Sequence, residues 1–179
     1  MPVQARGIPY LLATRNMMIQ ARTGSGKTGA FLLPMLERLD PTRDNCQALI
    51  LVPTRELARQ VWQEAEMLFA GTGLRSVAVY GGVGYGAQTD SLRQGAHVIV
   101  GTPGRVLDHL LKRNFSLDHI KMLILDEADR MLSMGFYPDM KQVQRYLPNR
   151  PINACLFSAT FPEYIKRKHN PKLVKYLDP

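Results

Sequence analysis

Six short runs of nearly continuous apolar residues alternate along this chain with longer segments of helical periodicity, and that alternation limits the possible folds more than any other feature. The runs are 16–21, 48–52, 76–80, 97–101, 122–126 and 153–158. They are too short for core helices and mostly apolar throughout, which fits strands buried on both faces. Segments 27–38, 54–69, 87–94, 105–112 and 137–146 carry helical patterns between them. In 54–69, Leu57, Val61, Glu64, Ala65 and Leu68 fall on one stripe, and four of the five are apolar, as an amphipathic helix requires. Such alternation implies βαβ units and an α/β fold with a mostly parallel central sheet and helices on both faces. Ligands of such sheets bind at the carboxyl ends of the strands, so residues that carry chemistry should follow the apolar runs.

The sequence has 179 residues, room for one domain with a sizeable core. No apolar run approaches the roughly 18 residues that cross a bilayer, and no greasy leader opens the chain. The expectation is a cytoplasmic protein (nuclear if its source has a nucleus) with no membrane partner. Cys46 and Cys155 are too few for a disulfide framework, and Cys155 reads as a small buried hydrophobe. No Cys/His cluster has zinc-ligand spacing. The formal net charge of +8 suits a polyanionic partner bound through counterion release, although basicity alone is common in soluble proteins.

Ala21-Arg22-Thr23-Gly24-Ser25-Gly26-Lys27-Thr28 follows the first run and opens the first helical segment. It matches the P-loop pattern except that Ala21 stands where the first glycine is usual. Gly24 and Gly26 give the backbone freedom to turn its N–H groups inward on phosphate oxygens. The helix start adds positive potential at the same place. Lys27 would reach the β- and γ-phosphates, and Thr28 would offer a hydroxyl to Mg²⁺. The competing reading, an ordinary glycine-rich strand-to-helix turn, leaves the Gly-Lys-Thr ending without a purpose.

Met122-Leu123-Ile124-Leu125 runs directly into Asp126-Glu127-Ala128-Asp129. A buried strand thus delivers adjacent carboxylates at its C-terminal edge, where a Walker B aspartate holds Mg²⁺ beside a P-loop. Asp126 is the metal-side candidate, acting through water because Mg²⁺ keeps much of its hydration shell. Glu127 is the candidate for orienting or activating an attacking water. Acidic residues also favour helix starts for electrostatic reasons alone.

The string Asp126–Asp129 and the motifs around it resemble the DEAD-box RNA helicase family. Pro53-Thr54-Arg55-Glu56-Leu57-Ala58 looks like motif Ia of that family, Gly81-Gly82 like its GG motif, Thr102-Pro103-Gly104-Arg105 like motif Ib and Ser158-Ala159-Thr160 like motif III. Pro2-Val3-Gln4 resembles the end of its Q motif. The resemblance covers most of the chain in family order. It implies a RecA-like P-loop domain that binds ATP and Mg²⁺. Gln4, Arg22, Thr23, Gly24, Ser25, Gly26, Lys27 and Thr28 would hold the nucleotide, with Gln4 on the adenine edge, where an amide can both donate and accept. Thr28 and Asp126 would serve the metal. Lys27, Asp126, Glu127, Ser158 and Thr160 would form the catalytic set, with Asp129 coupling to the hydroxyls of Ser158 and Thr160.

The resemblance also implies that RNA lies along Pro53, Thr54, Arg55, Gly82, Thr102, Pro103, Gly104 and Arg105. Arginines and loop N–H groups suit phosphates and carry little sequence information. Thr54 and Thr102 could equally serve as plain helix caps. Gly81–Gly86 reads as a flexible loop and Trp62 as partly buried packing. The whole of 1–179 is expected to be one such domain and a monomer, with no counterpart of the arginine-rich motif VI of a second RecA-like domain. The chain alone should therefore hydrolyse ATP slowly. The rival reading is a non-catalytic RNA-binding or scaffold module of the same fold.

Overall fold

The computed structural model describes residues 1–13, 16–22 and 24–160. Among these lie six strands, β1 (Met17–Gln20), β2 (Ala48–Leu51), β3 (Ser76–Val79), β4 (Val98–Gly101), β5 (Met122–Leu125) and β6 (Asn153–Ser158). The helices are α1 (Pro2–Leu12), α2 (Lys27–Arg38), α3 (Arg55–Phe69), α4 (Tyr85–Arg93), α5 (Pro103–Leu111), α6 (Ala128–Ser133) and α7 (Tyr137–Gln144).

All six strands join one sheet in the order β1-β6-β5-β2-β4-β3, and every pairing is parallel. The apolar runs are strands because the sheet is covered twice. Leu49, Leu51, Ile99, Leu123, Leu125 and Leu156 face one core with Leu92 of α4 and residues of α5, α6 and α7. Their neighbours Ala48, Ile50, Val98, Val100, Ile124 and Phe157 face a second core with α1, α2 and α3. Alternate residues point to opposite faces, and both faces are dry, so no polar alternation appears in the sequence.

One helix was not anticipated, and two expectations need correction. Residues 2–12 form a helix despite Gly7 and the internal Pro9, with Pro2 tolerated at its first position, because α1 docks on α2 and buries Leu11 completely. Burial of an apolar residue outweighs poor helix propensity here. The motif 102–105 is also not loop followed by helix at 105: α5 starts at Pro103, which is tolerated at a first helical position because its missing N–H would be unpaired anyway. In α3 the buried stripe is Ala58, Val61, Ala65 and Phe69, with Leu57 and Leu68 flanking it half-buried. Trp62 packs on that core, and its Nε1 donates to the Ser76 carbonyl at 3.3 Å. Cys46 and Cys155 are both free and buried. No helix among the described residues is long and apolar enough to cross a membrane. Segment 161–179 and Thr23 lie outside the described residues.

Candidate functional site

Because every strand runs the same way, all six carboxyl ends share one edge. Reading that edge in sheet order gives the loop before Lys27 (after β1), Ser158–Thr160 (β6), Asp126–Asp129 (β5), Pro53–Arg55 (β2), Thr102–Arg105 (β4) and Gly81–Gly82 (β3). Adjacent strands are about 4.8 Å apart. The phosphate-type residues therefore occupy one half of the edge, the arginine-bearing turns the other, and the acidic strand end lies between them.

In the first half, Gly26 is the N-cap of α2 with φ of +87°, a conformation costly for any residue with a Cβ. That turn puts Lys27 at the first helical position, where its side chain is nearly buried. Its Nζ lies 3.4 Å from Oδ1 of Asp126 but has no well-aligned hydrogen bond, and the Ser25 hydroxyl is likewise buried without a partner. Two donors at this loop thus lack a hydrogen-bond partner among the described residues, a condition that an incoming polyanion relieves. Asp126 is 3% exposed. Burial pushes its carboxyl above the ordinary aspartate range against the pull of Lys27 and of the Glu127 N–H, which donates at 2.9 Å. Thr28 sits half-buried in the first turn of α2, and Arg22 is exposed. Among the described residues no group of three or more His, Cys, Asp and Glu side chains is arranged to hold a metal.

Gln4 reaches this loop from α1: its Nε2 donates to the Gly26 carbonyl at 3.2 Å. A cleft of about 600 Å³ opens beside it, lined by residues that include Val3, Tyr10, Ile19 and Gly24. A second, of about 440 Å³, is lined by Lys27, Glu127, Asp129, Arg130, Ser133, Ala159 and Thr160.

The residues of 126–129 and 158–160 are tied together. Oδ2 of Asp129 accepts from the Thr160 hydroxyl at 2.7 Å and from the Thr160 N–H at 3.0 Å. The Asp129 N–H donates to the Ser158 hydroxyl at 3.2 Å, which itself donates to the Thr160 carbonyl at 2.7 Å. Burial pushes Asp129 up, but the contacts with Thr160 and Ser158 outweigh it and hold the carboxyl below its ordinary range. Glu127 adopts left-handed backbone, φ of 49°, between β5 and α6. Such backbone is uncommon outside glycine and marks a constrained position. Its carboxylate pairs with Nη1 of Arg130 at 3.3 Å.

In the other half, α3 and α5 start side by side at the ends of β2 and β4. Thr54 and Thr102 are their N-caps. The Thr54 hydroxyl accepts from the Leu57 N–H at 3.2 Å, whereas Thr102 makes no side-chain cap bond. Pro53 and Pro103 are buried, Gly104 is half-buried, Arg55 is exposed and pairs with Glu56 at 2.7 Å, and Arg105 is half-buried. Gly82 has φ of +83°, and a Cβ there would stand 3.0 Å from Nη1 of Arg55. A Cβ on Gly81 would stand 3.9 Å from Nη2 of Arg105. Both guanidinium groups therefore flank the Gly81–Gly82 turn, beside two helix N-termini whose free N–H groups favour anions. Sequence reasoning missed Arg130 and Ser133, although both follow the acidic string closely. It also missed Gln20, whose Nε2 donates to the Ala159 carbonyl at 3.1 Å, and Tyr85, which it read as part of a loop.

A parallel sheet with a phosphate loop after its first strand, facing carboxylates two strands away, defines a RecA-like P-loop nucleotide-binding domain. The family model described as DEAD/DEAH box helicase matches residues 1–167, and the chain belongs to that family. It is 49% identical over 168 residues to the ATP-dependent RNA helicase DeaD of Escherichia coli strain K12, covering 93% of this chain and 26% of that protein. It is 44% identical to the ATP-dependent RNA helicase CshA of Listeria monocytogenes, covering 97% of this chain and 34% of the relative. The chain thus spans about a quarter to a third of the curated relatives it matches. Among solved structures, a DEAD box protein from Methanococcus jannaschii superposes with a TM-score of 0.85 at 42% identity, covering 92% of this chain and 45% of that one. The S. cerevisiae protein dbp5, solved with ADP, gives 0.84 at 37% identity, covering 99% and 45%.

Proposed function

We propose that residues 1–179 form the first RecA-like domain of an ATP-dependent RNA helicase, binding ATP with Mg²⁺ at one half of the sheet edge and RNA backbone at the other. The observation that carries this reading is the sheet order, which sets Asp126–Asp129 between the phosphate loop and the turns of Arg55 and Arg105. The family membership and the names of the relatives support it.

The roles follow from position. Gly24, Gly26 and the start of α2 cradle phosphates with backbone N–H groups, Arg22 and Ser25 belong to the same loop, and Thr23 is assigned to it from the sequence motif. Lys27 exchanges part of its pairing with Asp126 for the β- and γ-phosphate oxygens. Thr28 and Asp126 would hold Mg²⁺, which when bound supplies positive charge against the transferring phosphoryl group. One buried carboxylate and one hydroxyl are a donor set that suits an ion sharing its coordination with water and phosphate. Glu127 orients the attacking water, and Gln4 turns its amide toward adenine. The Asp129–Thr160–Ser158 contacts let a change at the phosphates be felt across β5 and β6. Thr54, Thr102, Pro53, Pro103, Gly82 and Gly104 shape a backbone track for RNA on which Arg55 and Arg105 clamp phosphates, largely without reading sequence. The 2′-hydroxyl would distinguish RNA from DNA. The partner is a second RecA-like domain of the same protein, whose closure favours the state that binds both ligands; a monomer in the cytoplasm suffices for this cycle.

The test compares ATP hydrolysis by the full-length protein and by residues 1–179, each with and without RNA. Stimulation by RNA is expected in the first. The second should be slower by about 10³ or more, the usual worth of an arginine finger. A full-length protein that binds RNA but never turns over ATP would instead establish the non-catalytic scaffold.

A further inference from the structure

We propose that Tyr85 is a positioning residue for Arg105, an aromatic plate at the start of α4 that fixes the guanidinium over the Gly81–Gly82 turn; this rests on the RNA-binding reading above. Four contacts converge on the one ring. His109 stacks on it, with centroids 4.4 Å apart and planes inclined by 11°. The Arg105 guanidinium carbon lies 5.2 Å from the ring centroid and the Lys112 Nζ 4.2 Å from it. The tyrosine hydroxyl accepts from Nδ2 of Asn114 at 3.2 Å, and the same amide stands 2.9 Å from Nδ1 of His109.

Arg105 and His109 on α5 and Lys112 at its C-cap recur at helical spacing, so the ring of Tyr85 lies along one stripe of that helix. Tyr85 itself opens α4, separated from the Gly81–Gly82 turn by Val83 and Gly84. The ring therefore locks the turn after β3 to the helix after β4, the two elements that carry Gly82 and Arg105. Arg105 needs such a support. Its Nη1 is buried without a hydrogen-bond partner, and it forms no ion pair among the described residues. A long side chain held by neither hydrogen bond nor carboxylate would sample many rotamers and lose that freedom on gripping a phosphate. Attraction between the cation and the ring face removes much of that cost beforehand, while leaving the N–H groups unspent. Arg55 differs, since its carboxylate partner Glu56 must be exchanged for phosphate.

The test is carried out on the full-length protein with a single-stranded RNA. Arg105→Ala should weaken RNA binding by about 10-fold, as loss of a charge-assisted contact does. It should also reduce the slope of log affinity against log salt by about 0.7. Tyr85→Leu should also weaken binding, by less than Arg105→Ala, and leave the salt slope near wild type, since the unsupported arginine still grips its phosphate at an entropic cost. The double variant should bind no worse than Arg105→Ala alone, and Tyr85→Phe should retain most of the affinity. Nucleotide affinity without RNA and the thermal midpoint serve as controls for folding. Unaltered RNA affinity in Tyr85→Leu, or additive losses in the double variant, would sink the proposal while leaving RNA binding intact. No effect from Arg105→Ala would instead overturn the RNA reading of this edge, and the proposal with it.

Discussion

The ammonium of Lys27 and the carboxylate of Asp126 stand 3.4 Å apart at the ends of two different strand-to-helix turns, both almost out of reach of water. A buried pair of this kind gives little net stability while whole, but removing one member leaves an uncompensated buried charge. The pair is therefore better understood as a poised ligand site than as a staple.

Lys27→Ala should thus have two separable effects. Nucleotide affinity should fall by at least 10-fold because the phosphate contact is lost, and the ligand-free protein should lose about 3 kcal/mol because Asp126 is stranded. Adding Asp126→Asn to the same chain should restore much of the thermal midpoint without restoring nucleotide binding. Denaturant melts and a fluorescent-nucleotide titration on the three proteins check this. Unaltered affinity in Lys27→Ala would remove the phosphate-loop reading altogether.

Asp129 carries the opposite electrostatic signature. Its folded pKa lies below the ordinary aspartate value, because the contacts with Thr160 and Ser158 outweigh burial. A depressed carboxyl binds fewer protons folded than unfolded, so its contribution to stability is present above the ordinary pKa and is lost as pH falls through the folded one. Thr160→Val removes the 2.7 Å hydroxyl bond but keeps the backbone one. The variant should be less stable than wild type near neutrality, and the difference should shrink as the pH is lowered through that acid window. Melts between pH 7 and the acid limit of folding measure the convergence, and NMR titration of the Asp129 carboxyl should show its pKa rising toward the ordinary value. A stability difference independent of pH would mean that the hydroxyl acts through packing alone.

Both thiols should be silent in the native state. Burial pushes Cys46 and Cys155 up to about 12, so at pH 8 almost no thiolate exists to react. Alkylation by iodoacetamide is expected to be negligible in the folded protein and to reach both sites in denaturant. Rapid labelling of Cys155 in the native protein would show that β6 opens locally, and with it the attachment of Ser158 and Thr160.

The strands were legible because parallel, doubly covered strands leave a plain apolar record, and the observed ends shift by a residue or so from the runs. The phosphate loop and the acidic string were legible because their chemistry depends on neighbours in sequence. What escaped depends on distant packing. Gly7 and Pro9 argue against a helix in the sequence; α1 exists because α2 offers a surface for Leu11. The left-handed backbone at Glu127 that starts α6 cannot be read from a glutamate. The stack of Tyr85 on His109 joins residues that meet only once β3 and β4 pair. Thr54 shows a different limit, since its hydroxyl caps α3 and its presence in a motif does not by itself declare which duty it serves.

Gly82 allows stability and binding to be pulled apart. Its φ of +83° penalises any Cβ, by about 1–2 kcal/mol for alanine. A Cβ there would also stand 3.0 Å from Nη1 of Arg55, the tip of a flexible side chain, so the arginine rather than the backbone would give way. Gly82→Ala should therefore lower both the thermal midpoint and RNA affinity. Asparagine visits the left-handed region more readily, so Gly82→Asn should recover part of the midpoint while its Cβ still displaces Arg55 and RNA binding stays weak. Melts and RNA titrations on the two variants, with Arg55→Ala alongside, separate the effects: both glycine variants should approach the affinity of Arg55→Ala. If affinity instead followed the midpoint from alanine to asparagine, backbone strain and not the position of the Arg55 guanidinium would govern binding at this turn.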